Sequence, residues 1–114
     1  MKRFFFFILI SLFSFSAFAQ KDAVKTDTFK VEGNCDMCKK RIEDAAYIKG
    51  VKRADWTADN HMLVVTYRTD KTNLETIQKA IAKVGHNAGD VVAEETDYTK
   101  LPDCCQYKTN SCNH

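Results

Sequence analysis

Two cysteines separated by two residues are the most chemically distinctive feature of this 114-residue sequence. Cys35 and Cys38 lie where an alternating apolar segment gives way to a segment of helical periodicity. Near a helix N-terminus, unpaired backbone N–H groups and the positive end of the helix dipole favour thiolate over thiol. Thiolates bind soft ions such as Cu(I) and Hg(II), with Zn(II) a borderline case, and they also attack disulfides. The pair therefore indicates a soft-metal site or thiol redox chemistry, with a structural disulfide as the third interpretation.

Three basic residues follow the pair directly: Lys39, Lys40 and Arg41. Their charges modestly favour the thiolate form of the neighbouring cysteines. Positive charge beside a candidate metal site also fits docking on an acidic partner surface, and a solvated helix face explains it equally well. The charges alone therefore leave the partner open.

The C-terminal tail, residues 94–114, contains four further candidate metal ligands: Cys104, Cys105, Cys112 and His114. They allow a second metal site, or a tail that folds back to complete the coordination at the C-x-x-C pair. A disulfide such as Cys105 with Cys112 is typical of an oxidising compartment, and an unstructured terminus is the third interpretation. Because the chain has five cysteines, disulfides within a monomer leave at least one thiol over.

Hydrophobic periodicity between residues 26 and 93 predicts the elements that position these side chains. The predicted order is a strand at 28–32, a helix with Asp36 as N-cap, a strand at 51–56, a strand at 63–67, a helix at 74–84 closed by Gly85, and a short strand at 90–93. Ala54 and Trp56 are expected to share the inner face of the second strand. This order is that of an α+β, ferredoxin-like βαββαβ sandwich, with two helices on one face of a four-stranded antiparallel sheet.

Residues 1–19 have the pattern of a secretory signal peptide. Lys2 and Arg3 form the positive end, an apolar stretch follows, and Ala17-Phe18-Ala19 matches a cleavage site. The apolar run is about a dozen residues, whereas ~20 are needed to span a bilayer. The first mature residue is then Gln20 and not Cys, so no lipid anchor is predicted. We expect export to the periplasm with no membrane attachment after cleavage; an uncleaved anchor is the alternative.

Charge and size exclude several functions. Beyond Lys2 and Arg3 the chain has 15 basic and 15 acidic residues, so a nucleic-acid binder held by a basic surface is not expected. A domain this small has little interior for a large catalytic cleft. We therefore expect a monomeric binding protein and no enzyme.

The stretch VEGNCDMCKKRIE, residues 31–43, resembles the metal-binding motif of the heavy-metal-associated (HMA) domain. The segments at 48–51, 63–67 and 77–86 continue that family's pattern in order, so the resemblance covers residues 26–93. The family includes copper chaperones, metal-binding modules of P-type ATPases and periplasmic mercury-binding proteins. The resemblance implies one Cu(I) or another soft ion held by Cys35 and Cys38 on an exposed loop.

The sequence departs from the family's pattern at the site itself. Gly33-Asn34-Cys35 is one residue shorter than the usual Gly-Met-x-Cys and lacks its methionine. Met37 lies between the cysteines instead, where it either fills the vacated core space or offers a thioether to the metal. The tail beyond residue 93 is a further addition.

Two histidines lie in predicted loops. His86 is in the loop after the second helix, which we expect at the same end of the domain as the thiol pair. Its imidazole is either a third metal ligand, a protonated counter-charge to the two thiolates, or an exposed side chain without contacts. His61, in the turn between the middle strands, is expected on the opposite or lateral surface, in solvent.

The function expected from these features is carriage of a soft ion without catalysis. An accessible two-thiolate site binds Cu(I) tightly, yet leaves room for ligand exchange with a metal-transporting ATPase or another acceptor; Hg(II) and Zn(II) are the alternative cargoes. A thiol–disulfide oxidoreductase using the same pair is the rival from another class. The only proline, Pro102, is far from the pair, which argues against a thioredoxin-like enzyme. A scavenger that delivers its metal nowhere is the second rival.

Overall fold

The computed structural model describes residues 23–108. Its elements are β1 (Val24–Lys30), α1 (Asp36–Ala46), β2 (Val51–Thr57), β3 (Met62–Arg68), α2 (Leu74–Ala82), α3 (Glu95–Tyr98) and a 3₁₀ turn (Asp103–Cys105). The three strands form one antiparallel sheet in the order β1-β3-β2. Among residues 23–108, none of the helices has the length and hydropathy that spanning a membrane requires. The predicted signal peptide, residues 1–19, lies outside the described residues.

The core lies between one face of the sheet and the two long helices. Side chains alternate across a strand, and along β3 this buries Leu63, Val65 and Tyr67 while Val64 stays exposed. The same face of the sheet buries Ala54 and Trp56, as predicted, and the helices add Ile42, Ile77 and Ile81. The α+β, ferredoxin-like packing of helices on one face of an antiparallel sheet is therefore formed.

The predicted fourth strand at 90–93 is absent from the described chain. Ala88 and Val91 exchange backbone hydrogen bonds of 2.9 and 3.0 Å, which closes a tight turn, and Gly89 adopts the left-handed φ of 57° that the turn requires. On the sheet side, residues 87–89 pair only with residues 30–32, at and just beyond the end of β1, through the isolated bridge between Val31 and Ala88. The turn sends the chain away from the sheet before a strand can form, so the sheet has three strands.

The two helices begin differently. Asn73 caps α2 by accepting a 2.8 Å hydrogen bond from the Thr76 N–H. The predicted N-cap of α1, Asp36, is instead its first helical residue, and the N-cap is Cys35, whose side chain makes no capping hydrogen bond. The first cysteine of the pair thus occupies the position where the helix dipole acts most strongly.

The described part of the tail is packed against the domain. Tyr98, Leu101 and Cys105 belong to the same buried cluster as the sheet and helices. Gly85 makes room for this segment, because a Cβ at its position would lie 2.8 Å from Leu101 Cγ, and its φ of 102° disfavours other residues. Residues 94–108 therefore form an integral part of the fold, and the unstructured-terminus interpretation is wrong for them. Cys112 and His114 lie outside the described residues.

Candidate metal centre

The loop between β1 and α1 brings the C-x-x-C pair onto the first turn of the helix. The Lys39 N–H donates to the Cys35 carbonyl at 2.9 Å, which starts the helix. Gly33 permits the tight approach of this loop to the core, since a Cβ there would lie 3.0 Å from the Trp56 ring and 3.2 Å from Cys38 Cβ. Cys38 therefore projects from the helix into the edge of the core.

The two thiols differ in accessibility. Cys38 is fully buried, whereas Cys35 is partly exposed. The expectation that both sulfurs lie outward on an exposed loop is wrong for Cys38. Its burial follows from its position on the inner side of α1, beneath the 3₁₀ turn of the tail.

The tail brings a second pair of cysteines to this place. Asn34 Nδ2 donates to the Cys104 carbonyl oxygen at 3.0 Å and fixes the 3₁₀ turn beside the loop. Cys105 is fully buried; its burial raises the pKa of its thiol, and the neighbouring thiol of Cys38, followed by that of Cys104, raises it further. Cys105 is a free thiol beside Cys38. The disulfide suggested between Cys105 and Cys112 involves a residue outside the described range and stays a hypothesis.

Met37 does not fill the core. It is 54 % exposed, and the Cys104 Sγ lies 3.4 Å from its Sδ. The interpretation of Met37 as a core-filling residue is therefore wrong. Its thioether contacts Cys104, and Cys105 neighbours both Cys104 and Cys38, so Met37 lies at the outer rim of a sulfur cluster formed by Met37, Cys38, Cys104 and Cys105.

The sulfur cluster is not arranged around an ion. Within residues 23–108, no three His, Cys, Asp or Glu side chains are placed so that they could together hold a metal. A two-sulfur site needs only Cys35 and Cys38. Any higher coordination number requires side-chain rotation when the ion arrives.

His86 is fully buried and is not the exposed loop residue of one interpretation. Its Nδ1 lies 2.7 Å from the Glu32 carbonyl oxygen, and because a carbonyl only accepts, Nδ1 carries the proton and donates. Burial lowers the pKa of His86 to about 4; the hydrogen bond to Glu32 raises it, and the charge of Arg41 lowers it. His86 is thus neutral near pH 7 in the metal-free protein and carries no charge there. Its Nε2 is buried with no hydrogen-bond partner in the described chain.

His61 lies at the same end of the sheet as the C-x-x-C loop, because Lys30 at the end of β1 pairs with Met62 at the start of β3. The expectation of an opposite or lateral position is wrong. Its ring stacks on Trp56 at a centroid distance of 5.9 Å, so His61 is also more than a solvated side chain.

The basic residues after the pair have separate roles. Lys39 Nζ donates to Glu43 at 2.6 Å, to the Trp56 carbonyl at 2.7 Å and to Asp55 at 3.0 Å, which ties α1 to β2. The hydrogen bond to Glu43, followed by that to Asp55, raises the pKa of Lys39. Lys40 is paired with Asp44 in solvent. Arg41 and Lys40, with Met37, line a shallow surface groove beside the site.

Sequence reasoning located the cysteine pair but missed two residues that hold the tail against the site. Asn34 bonds the Cys104 carbonyl, as described above. The Tyr107 hydroxyl donates to the Gly85 carbonyl at 3.0 Å and accepts from the Asn87 N–H at 3.2 Å, while its ring stacks on His86. In the sequence, only the apolar residues Tyr98 and Leu101 near the tail cysteines indicated that this segment packs against the domain.

The sequence model of the heavy-metal-associated domain matches residues 28–87, more than half of the chain. The chain belongs to the heavy-metal-associated domain family. The match ends before the tail, so the segment that brings Cys104 and Cys105 to the site lies outside the family domain. A search of curated proteins gives no significant match.

Solved structures of heavy-metal-associated domains resemble this chain. A CopZ metallochaperone is 30 % identical, with a TM-score of 0.54, over 56 % of this chain and 98 % of the other. Oxidized MerP from Ralstonia metallidurans CH34 is 29 % identical, with a TM-score of 0.55, over 58 % and 94 %. The N-terminal domain of a potential copper-translocating P-type ATPase from Bacillus subtilis, in its Cu(I)-loaded state, is 25 % identical, with a TM-score of 0.55, over 58 % and 85 %. The similarity thus extends over most of the length of each of these three compared chains.

Proposed function

We propose that this protein is a soft-metal carrier that holds one Cu(I)-like ion between Cys35 and Cys38 and passes it on by ligand exchange. The observation that carries the proposal is the placement of both cysteines on the first turn of α1, at its N-terminus, in a heavy-metal-associated domain. A soft ion binds cysteines as thiolates, and the N-terminal end of a helix is a favourable place for such negatively charged ligands.

The choice of Cu(I) as first cargo rests on the donor set and on the similar proteins. Thiolates prefer soft ions, and two of the similar structures are a CopZ metallochaperone and a Cu(I)-loaded domain of a potential copper-translocating ATPase. Hg(II) is the next candidate on the same chemistry. Zn(II) usually takes four ligands in a closed site, for which a two-thiolate pair is less suited.

The difference in exposure between the two cysteines suggests the route of transfer. Cys35 is partly exposed and Cys38 is buried, so an incoming acceptor thiolate approaches from the side of Cys35. The acceptor thiolate joins the ion before Cys35 leaves, and the metal is never free in solution. A metal-transporting ATPase or another thiol-bearing acceptor fits this chemistry.

We further propose that residues 1–19 are removed on export and that the mature protein begins at Gln20 in the periplasm, without a lipid anchor. The positive end, short apolar stretch and Ala17-Phe18-Ala19 support this. N-terminal sequencing of the protein recovered from its compartment is expected to start at Gln20; a chain starting at Met1 contradicts the proposal.

Transfer and thiol redox activity separate the proposed function from its rivals. The anaerobically reduced protein loaded with Cu(I) is expected to pass the ion to a purified heavy-metal-associated domain of a P-type ATPase. Separating the two proteins and measuring the copper in each fraction tests this. Retention of the ion in the presence of excess acceptor supports a scavenger instead. Catalysis of insulin reduction without metal uptake supports an oxidoreductase and contradicts the carrier.

A further inference from the structure

The strongest unexplained feature is the buried thiol of Cys105, which the tail places beside Cys38. Both side chains have no exposed surface and belong to one buried cluster. Cys105 is outside the matched family domain and forms no disulfide with another cysteine of residues 23–108. The two-thiolate carrier described above does not use it.

The contacts of the tail indicate that Cys105 stays in place. Tyr98 and Leu101 are buried with it in the core, and burial of apolar surface is the main source of stability. The Tyr107 hydroxyl is bonded to the Gly85 carbonyl at 3.0 Å, and Asn34 holds the Cys104 carbonyl at 3.0 Å. Lifting the 3₁₀ turn breaks these contacts together, so the closed state dominates.

We propose that Cys105 is a third thiolate ligand for the ion held at Cys35 and Cys38, so that a single chain completes a three-sulfur site. This inference rests on the proposed function. The ion displaces one proton from each of the three thiols to solvent, three Cu–S bonds form, and no atom changes oxidation state. Because the three sulfurs do not yet enclose an ion, the ligand set closes by side-chain rotation on binding.

Cys104 is adjacent in sequence but occupies a different position. Its thiol contacts the sulfur of Met37, which is exposed at the rim of the cluster, whereas the Cys105 thiol lies inward beside Cys38. The two neighbouring cysteines thus provide a matched pair of variants, one inside the proposed ligand set and one outside it.

A third ligand from the same chain changes how the ion is released. The position that an acceptor thiolate takes on a two-coordinate ion is already occupied by Cys105. The acceptor must therefore displace a tethered thiolate whose local concentration is high. The tail favours retention until a thiol-bearing acceptor competes for the ion.

X-ray absorption at the copper edge of the anaerobic, Cu(I)-loaded, full-length protein tests the proposal. We expect three sulfur neighbours in the wild type and in Cys104→Ser, and two in Cys105→Ser. Competition with bicinchoninate is expected to show Cu(I) affinity reduced about tenfold or more in Cys105→Ser, and little changed in Cys104→Ser. Two sulfurs in the wild type, or a nitrogen from His86 as third neighbour, overturns the proposal.

The controls separate the possible failures. Three sulfurs in Cys105→Ser also overturn the proposal, because the third donor then comes from elsewhere, such as Cys112. Cys105→Ala replaces the serine variant if the buried hydroxyl of serine impairs folding. The coordination number of the wild type tests the third sulfur ligand without either variant. If the wild type binds no Cu(I), or Cys35→Ser binds as tightly as the wild type, the proposed function itself has failed.

Discussion

Accessibility distinguishes the cysteines of the site residue by residue. Cys35 and Cys104 are partly exposed, whereas Cys38 and Cys105 have no exposed surface. Alkylation requires access of the reagent and a thiolate. We predict that iodoacetamide modifies Cys35 and Cys104 of the reduced, metal-free protein at least about tenfold faster than the buried pair. Peptide mass spectrometry over a time course measures this. Equal rates at all four residues contradict the closed tail.

His86 determines part of the pH dependence of stability. Its pKa is about 4 in the folded protein, below the ordinary value of 6.5, so the unfolded chain binds more protons between these values. The contribution of neutral His86 to the free energy of unfolding is therefore fully present above about pH 6.5. It is lost as the pH falls toward 4 and amounts to at most about 3 kcal/mol. The ring-proton NMR signal of His86 in the metal-free protein is expected to titrate near pH 4, and a midpoint near 6.5 contradicts the buried position. Urea unfolding at pH 7 and pH 5 measures this loss of stability. In His86→Phe the difference in stability between the two pH values is expected to be smaller than in the wild type.

At the level of the elements, Gly85 links α2 to the tail. A side chain there meets Leu101 Cγ at 2.8 Å and Asp97 O at 2.9 Å, with φ at 102°. We predict that Gly85→Ala costs about 2–4 kcal/mol of stability and increases the alkylation rate of Cys38 and Cys105. Urea unfolding and the same peptide mapping measure both effects.

Gly50→Ala is the matched control for this substitution. Gly50 has a similar φ of 97°, and its added Cβ meets Lys71 Cβ at 2.8 Å, away from the tail. We expect a comparable loss of stability with the buried cysteines still protected in the folded protein. If both variants expose Cys38 equally, the tail is not what shields it.

The sequence predicted best the elements whose periodicity is strong and whose contacts are local. The strands with Trp56 and Val65 and the helix with Ile77 have clear apolar faces, and the C-x-x-C pair lies at the helix start as expected. The strand at 90–93 was predicted from its apolar residues, but the left-handed Gly89 closes a turn there. A short apolar run cannot distinguish these outcomes.

The site was harder to predict because its environment depends on distant contacts. Burial of Cys38 and its proximity to Cys105 depend on the tail, whose cysteines are distant in sequence from the C-x-x-C pair. No periodicity encodes such a contact. His86 was located in the correct loop, but its neutrality follows from burial and the Glu32 carbonyl, which only the packed structure defines.

At the scale of the whole molecule, the described chain is a heavy-metal-associated domain with an added segment packed against its C-x-x-C loop. The domain supplies Cys35 and Cys38 at the start of α1, and the segment adds two thiols from outside the family's pattern. This arrangement leaves Cys35 partly exposed and buries Cys38 and Cys105. Binding of the ion is the property on which the whole account depends.

Native mass spectrometry of the anaerobically reduced protein with Cu(I) tests that property most directly. The account predicts uptake of about one ion by the wild type and by Cys104→Ser. It predicts loss of uptake at the same copper concentration when Cys35 and Cys38 are both replaced by serine. Undiminished uptake by that double variant, or no uptake by the wild type, contradicts the account.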